Sequence, residues 1–148
     1  DASIMIRMSN KVKGNLSISQ VATGEENNFR LSIYGDKGAL HWSQENPNYA
    51  IFSKLGKPNQ IITRGGPIKQ DGSFSFERVP AGHPEGYLEA FAQIYSDAAD
   101  VIQNKENKNE LIKILPNVND GLHIMKFIKA TVDSSNNNSA WTDLSTVK

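Results

Sequence analysis

Short runs of alternating apolar and polar residues, separated by tight polar turns, fill the first 64 positions. Ile4, Ile6 and Met8 alternate with Met5 and Arg7. Val12–Val21 follows a turn at Ser9-Asn10-Lys11, with Leu16 and Ile18 keeping the period of two. After a loop from Thr23 to Asn28, Phe29, Leu31 and Ile33 alternate with Arg30, Ser32 and Tyr34. Tyr34-Gly35-Asp36-Lys37-Gly38 is a reversal, because glycine reaches the positive φ that a tight turn needs. Leu40 and Trp42 share one side of the next strand, and Asn46-Pro47-Asn48 and Gly56-Lys57-Pro58-Asn59 punctuate two more, Tyr49–Lys54 and Gln60–Thr63. A parallel crossover takes about a dozen residues or more, and these turns are shorter. Successive strands therefore pair antiparallel, as a meander.

Beyond residue 64 the period changes. Residues 64–82 read as a Gly- and Pro-rich loop that Phe74 and Phe76 pin to the body. A first helix is expected from Pro84, a residue suited to the first helical position because its missing N–H has no partner there. Tyr87, Phe91, Ile94, Tyr95, Ala98 and Ile102 recur at helical spacing, which predicts one apolar face lying on the sheet, with Asp97 and Asp100 on the wet side. Each large side chain buried there contributes roughly 1.5–3 kcal/mol. Residues 103–117 read as an exposed polar connector. A second helix is expected over 118–132, with Val118, Leu122, Met125, Ile128 and Val132 as its stripe, and Ala140–Val147 as a final strand. The fold class is thus α+β: a mostly antiparallel sheet, then two amphipathic helices packed on it, in one domain over 1–148.

Charge excludes some functions. Sixteen basic residues balance 16 acidic ones without any like-charge block, so the basic stripe that holds nucleic acid is missing. No apolar run approaches the ~18 residues of a spanning helix, which argues against a membrane partner. The chain has no cysteine, which removes thiolate catalysis and fits a reducing, cytoplasmic setting. It enters a strand pattern at once, with no initiating methionine, and so reads as starting inside a longer protein.

Gly82-His83-Pro84-Glu85-Gly86-Tyr87 is the most informative stretch. It brings an imidazole, a carboxylate and a phenol to a helix N-terminus, where free N–H groups favour anionic or hydroxyl-rich ligands. The ordinary structural alternative is that Pro84 and Gly86 shape the helix entry and Glu85 complements the helix dipole. Gln20 continues the face of Leu16 and Ile18 at a strand end, where it either touches a ligand or serves as a hydrogen-bonded structural residue. His41, His83 and His123 lack metal-ligand spacing. Glu85 and Glu89, one helical turn apart, read as dipole complements.

Taken in order, Gly14-Asn15-Leu16-Ser17-Ile18-Ser19-Gln20-Val21, Phe29 to Trp42, the His83–Tyr87 stretch leading to Glu89-Ala90-Phe91, and Asp120-Gly121-Leu122 running to Phe127-Ile128-Lys129-Ala130 resemble the carboxy-terminal domain of the glucose–fructose oxidoreductase and inositol dehydrogenase (Gfo/Idh/MocA) family. The resemblance covers about Ala2 to Trp141. It implies an upstream Rossmann domain that binds NAD or NADP, and hydride transfer involving a sugar, cyclitol or related polyol. It also implies a homo-oligomer formed through the open sheet face. The family's catalytic lysine, aspartate and histidine would lie upstream of Asp1, and Gly56-Lys57-Pro58 is a turn rather than the lysine motif. On this reading the fragment holds no catalytic and no cofactor-binding residue and is inactive alone. His83, Glu85, Tyr87 and Gln20 are the positions expected to line the substrate side. The competing reading is a free-standing carbohydrate-binding or scaffolding module, with Trp42, Tyr34 and Tyr49 stacking on sugar rings.

Overall fold

The computed structural model describes residues 1–65 and 77–147, so Phe74, Phe76 and most of the expected loop lie outside the described residues. The chain divides into two compact units, a hairpin unit of Asp1–Ala22 with Lys113–Lys148 and a sheet unit of Thr23–Ile112.

In the sheet unit, β3 (Arg30–Tyr34), β4 (Gly38–Ser43), β5 (Tyr49–Lys54) and β6 (Gln60–Thr63) pair antiparallel in chain order, the meander that the short turns require. The register sets Leu31 opposite Trp42, Trp42 opposite Ala50, and Ala50 opposite Ile62, so these side chains share a face. His41 stands between Ser32 and Ile51, and Ile51 faces Ile61, which puts them on the other face together with Tyr34. Gly38 permits the close approach of β4 and β5, since a Cβ there would sit 2.7 Å from the Ser53 carbonyl oxygen.

The first helix, α1 (Tyr87–Ile102), begins later than the Pro84 start expected from sequence. Its N-cap is Gly86 at φ −167, an extended residue, and Glu89 reaches back to accept the Gly86 N–H at 2.9 Å. Glu85 is held outside the helix by partners distant in sequence. At the other end Asn104 takes a positive φ of 58, donating to the Val101 carbonyl while Lys105 donates to that of Asp100. This is the paired closure of a Schellman motif, with asparagine in the glycine position.

The α1 stripe also departs from expectation. Tyr87, Phe91, Ile94, Tyr95 and Ile102 are all exposed, whereas Asp97 is only 7% exposed and is not on a wet side. Arg78 explains the rotation: Nε and Nη2 donate to Gln93 Oε1, Nη2 also reaches Ser96 Oγ, and Gln93 Nε2 donates to Asp97 Oδ1 at 2.7 Å. The polar edge of the helix is thereby turned inward. The expected connector contains a short helix, α2 (Lys108–Ile114), whose Leu111 is 1% exposed.

In the hairpin unit, β1 (Ala2–Arg7) and β2 (Lys13–Ile18) pair antiparallel, with Ile4 opposite Leu16 and Ile6 opposite Gly14. Ala2, Ile4, Ile6 and Leu16 are half-buried on one face, and Met5 and Arg7 are exposed on the other. Helix α3 (Val118–Asn136) opens on a capping box, in which Asn117 Oδ1 accepts the Asn119 N–H and Asp120 accepts the Asn117 N–H, each at 2.8 Å. The closing strand expected over Ala140–Val147 does not form. Asn138 and Ser139 both take positive φ, and Asp143 Oδ1 then captures the Ser145 N–H to nucleate a 3-10 turn at Leu144–Thr146. Trp141 instead lies under the Arg7 guanidinium, 4.0 Å from ring centroid to Cζ.

Candidate functional site

The site grows from the end of β6. The Arg64 N–H continues the ladder to the Asn48 carbonyl at 3.0 Å, which directs the Arg64 side chain toward residues 79–85. There the guanidinium makes four hydrogen bonds and one ion pair. Nε donates to Asn48 Oδ1 at 3.2 Å, Nη1 to the Val79 carbonyl at 3.1 Å, and Nη2 to the carbonyls of Pro80 at 3.3 Å and His83 at 2.6 Å. The remaining contact is an ion pair between Nη1 and Glu85 Oε2 at 2.6 Å.

Glu85 is the buried end of this arrangement. Its side chain is 6% exposed, against 18% for Arg64. Oε1 accepts the Arg78 N–H at 2.8 Å, and the Glu85 N–H donates to Asn48 Oδ1 at 3.1 Å. Asn48 Oδ1 thus serves both members of the ion pair. Gly65 completes the fit: it holds a φ of +65, donates its N–H to Glu77 Oε1, and a Cβ on it would press within 3.1 Å of Ala81.

His83, Glu85 and Tyr87 lie on one segment but face differently. Glu85 points inward, while His83 and Tyr87 are exposed at the entry to α1, where Tyr87 packs on Phe91 with ring centroids 4.9 Å apart. His83 folds back on its own turn, its N–H and its Nδ1 both directed at the Pro80 carbonyl, at 3.2 and 3.3 Å. Gln20 belongs to the hairpin unit, exposed just past β2. In that same unit a hollow of about 470 Å³ lies between β1 and the last turns of α3, lined by Ile4, Ile6, Thr131, Ser134 and Trp141. Gln20, His83, Glu85 and Tyr87 are not among its walls. Arg64, Asn48 and Arg78 were not legible as site residues. Arg64 read as the start of a loop and Asn48 as turn punctuation, and their partners lie 15 to 37 positions away.

Among the described residues there is no group of three or more His, Cys, Asp or Glu side chains placed to hold a metal ion. The carboxyl of Glu89 is held below the usual glutamate range, first by the Gly86 N–H, then by its own backbone N–H and the charges of Arg78 and Arg64. A carboxylate with a lowered folded-state pKa stabilises the fold above its ordinary range, and that contribution disappears as pH falls through the lowered value. Glu89→Gln keeps an acceptor oxygen and removes only the charge. We expect it to unfold at lower urea than the unmodified protein at neutral pH, with the gap closing as the pH is brought below the carboxylate range. A gap that persists in acid would exclude the charge as its cause.

A family described as "Oxidoreductase family, C-terminal alpha/beta domain" matches residues 1–144. An uncharacterized oxidoreductase of Bacillus subtilis (strain 168), YfiI, is 30% identical over 146 residues, covering 97% of this chain and 37% of that protein. Among solved structures, an oxidoreductase from Sinorhizobium meliloti is 42% identical with a TM-score of 0.80, over 90% of this chain and 37% of its own. An inositol dehydrogenase homolog from Azotobacter vinelandii, in complex with NADH and myo-inositol, is 25% identical with a TM-score of 0.86, over 95% of this chain and 38% of its own. The chain therefore spans little more than a third of the length of these relatives.

Proposed function

The chain belongs to the Gfo/Idh/MocA oxidoreductase family as a C-terminal α/β domain, and we propose that it forms the substrate wall and assembly surface of an NAD- or NADP-dependent oxidoreductase acting on a sugar, cyclitol or related polyol. The observation that carries this reading is the segment from His83 to Tyr87. It is locked from beneath by Arg64 and Asn48, and it presents an imidazole and a phenol at the entry of α1. Both can exchange hydrogen bonds with hydroxyl groups. Glu85 is spent on the ion pair and acts through the shape of the segment. Gln20 is offered as a further polyol contact. The relative in complex with NADH and myo-inositol supports a polyol as the ligand class.

On this proposal the hydride-transfer machinery and the nicotinamide site belong to the rest of the parent protein, and the isolated chain is not catalytic. A cytoplasmic setting belongs to the same proposal. No helix among the described residues is long and apolar enough to cross a membrane. The sheet face carrying Tyr34, Tyr49, Ile51 and Ile61, all exposed, is the surface proposed for self-association. The competing sugar-stacking platform loses support from geometry. Trp42 lies on the opposite sheet face from Tyr34 and Tyr49, its ring meets Phe29 edge-on at 5.9 Å, and its indole N–H is used by the Pro47 carbonyl.

The test is absorbance at the nicotinamide wavelength with the intact parent protein, NAD+ or NADP+, and a panel of cyclitols and sugars, beside light scattering of the same protein. Cofactor reduction with at least one polyol, by an oligomer that Ile61→Glu dissociates, is the expected result. A monomer silent with the whole panel would remove the proposal.

A further inference from the structure

We infer that Arg64 and Asn48 are positioning residues, which hold His83 as the tautomer protonated on Nδ1 with Nε2 left open to accept a hydrogen bond from a ligand hydroxyl. The inference rests on the polyol reading above and goes beyond it, because it says which atom makes the contact and what holds that atom in place.

The tautomer follows from the partner. His83 Nδ1 faces the Pro80 carbonyl oxygen, which can only accept, so the neutral ring carries its proton on Nδ1. Nε2 is then an acceptor, and no partner for it occurs among the described residues. The Nδ1 contact depends on a turn whose own closure is one backbone hydrogen bond, from the His83 N–H to the Pro80 carbonyl at 3.2 Å. The carbonyls of Val79, Pro80 and His83 all converge on one guanidinium, and Asn48 Oδ1 fixes both that guanidinium and the Glu85 N–H. The planar fork of arginine supplies several donors in a fixed arc. A lysine ammonium in the same place is a compact charge, able to stay beside Glu85 but unable to span the three carbonyls.

Three variants of the intact parent protein test this. Arg64→Lys keeps the charge and loses the fork. His83→Asn keeps a donor that can reach Pro80 and removes Nε2. Asn48→Ala removes the acceptor shared by Arg64 Nε and the Glu85 N–H. Amide hydrogen exchange over residues 79–86 reads the lock, and steady-state kinetics with the polyol turned over fastest in the panel read its purpose. The expected result for Arg64→Lys is faster exchange over residues 79–86 and a KM for the polyol raised about tenfold, the size of one lost hydrogen bond. The KM for the nicotinamide should stay as it was. His83→Asn should reproduce the KM rise without faster exchange, and Asn48→Ala should speed exchange over residues 79–86 and raise the polyol KM, as Arg64→Lys does.

Unchanged exchange in Arg64→Lys would overturn the lock. Faster exchange with an unchanged polyol KM, or with equal rises in both KM values, would overturn the positioning role. If the unmutated protein turned over no polyol, the oxidoreductase reading would fall and take the hydroxyl contact with it. The exchange data would still decide whether Arg64 holds the segment.

Discussion

Arg64→Ala is expected to destabilise the protein by about 3–5 kcal/mol, the usual cost of removing one partner from a buried ion pair. The magnitude comes from what is left behind. Glu85, whose side chain is 6% exposed beside Arg64, would be left with the Arg78 N–H as its one remaining side-chain partner, since Oε2 has only the ion pair among the described residues. The carbonyls of Val79 and His83 would lose their Arg64 donors, and that of Pro80 would keep only its contacts from His83. Glu85→Gln removes the charge but keeps the shape and the Oε1 acceptor, so its cost should be smaller, on the order of 1–2 kcal/mol. In the double variant no unpaired carboxylate is buried, so its total loss should fall short of the sum of the two single losses. Urea unfolding followed by tryptophan fluorescence suits the measurement, because the Trp42 indole N–H donates to the carbonyl of Pro47, the residue before Asn48. An Arg64→Ala loss under about 1 kcal/mol, at unchanged urea slope, would mean that the pair is solvated and contributes as little as a surface salt bridge.

What the sequence made legible, and what it hid, divides by distance along the chain. The strands Tyr49–Lys54 and Gln60–Thr63 appear with the expected bounds, because alternation and turn chemistry act over two to four residues. The amphipathic period of α1 is equally local, and the helix forms. Which side of it faces inward is decided elsewhere. Arg78 takes Gln93 and Ser96, 15 and 18 positions on, and draws Asp97 under cover while the aromatic stripe stays outside. The start of α1 follows the same rule. Pro84 is a sound first helical residue by local standards, yet the Glu85 N–H goes to Asn48, 37 positions back, and the helix waits until Tyr87. For the candidate site, the His83–Tyr87 segment stood out as a motif, whereas the residues that shape it did not. A guanidinium that gathers three carbonyls leaves no periodic trace. The missing final strand is a case of local competition, in which a short Asp side chain satisfied the Ser145 N–H before a ladder could.

Leu111→Ala should be the other large loss, about 2–5 kcal/mol. The stretch from Gln103 to Asn109 is so polar that the region reads as solvated linker, yet Lys108–Ile114 is helical and Leu111 is 1% exposed within it. Seven residues are too few to hold a helix in water by propensity alone, as isolated helices shorter than ~12–15 residues are marginal. Something must seat this one, and Leu111 is the only residue of α2 that is buried. Its immediate neighbour provides the control. Ile112 has the same number of carbons and is half exposed, so Ile112→Ala removes little buried surface and gains slightly in helix propensity, for a net change within about 0.5 kcal/mol. Leu111→Met, which roughly conserves volume, should cost less than about 1.5 kcal/mol. The order Leu111→Ala, then Leu111→Met, then Ile112→Ala in urea midpoint separates a seated helix from a frayed linker. If Leu111→Ala and Ile112→Ala unfolded at the same urea concentration, α2 would contribute no packing, and the polar linker read from the sequence would be the better description of residues 103–117.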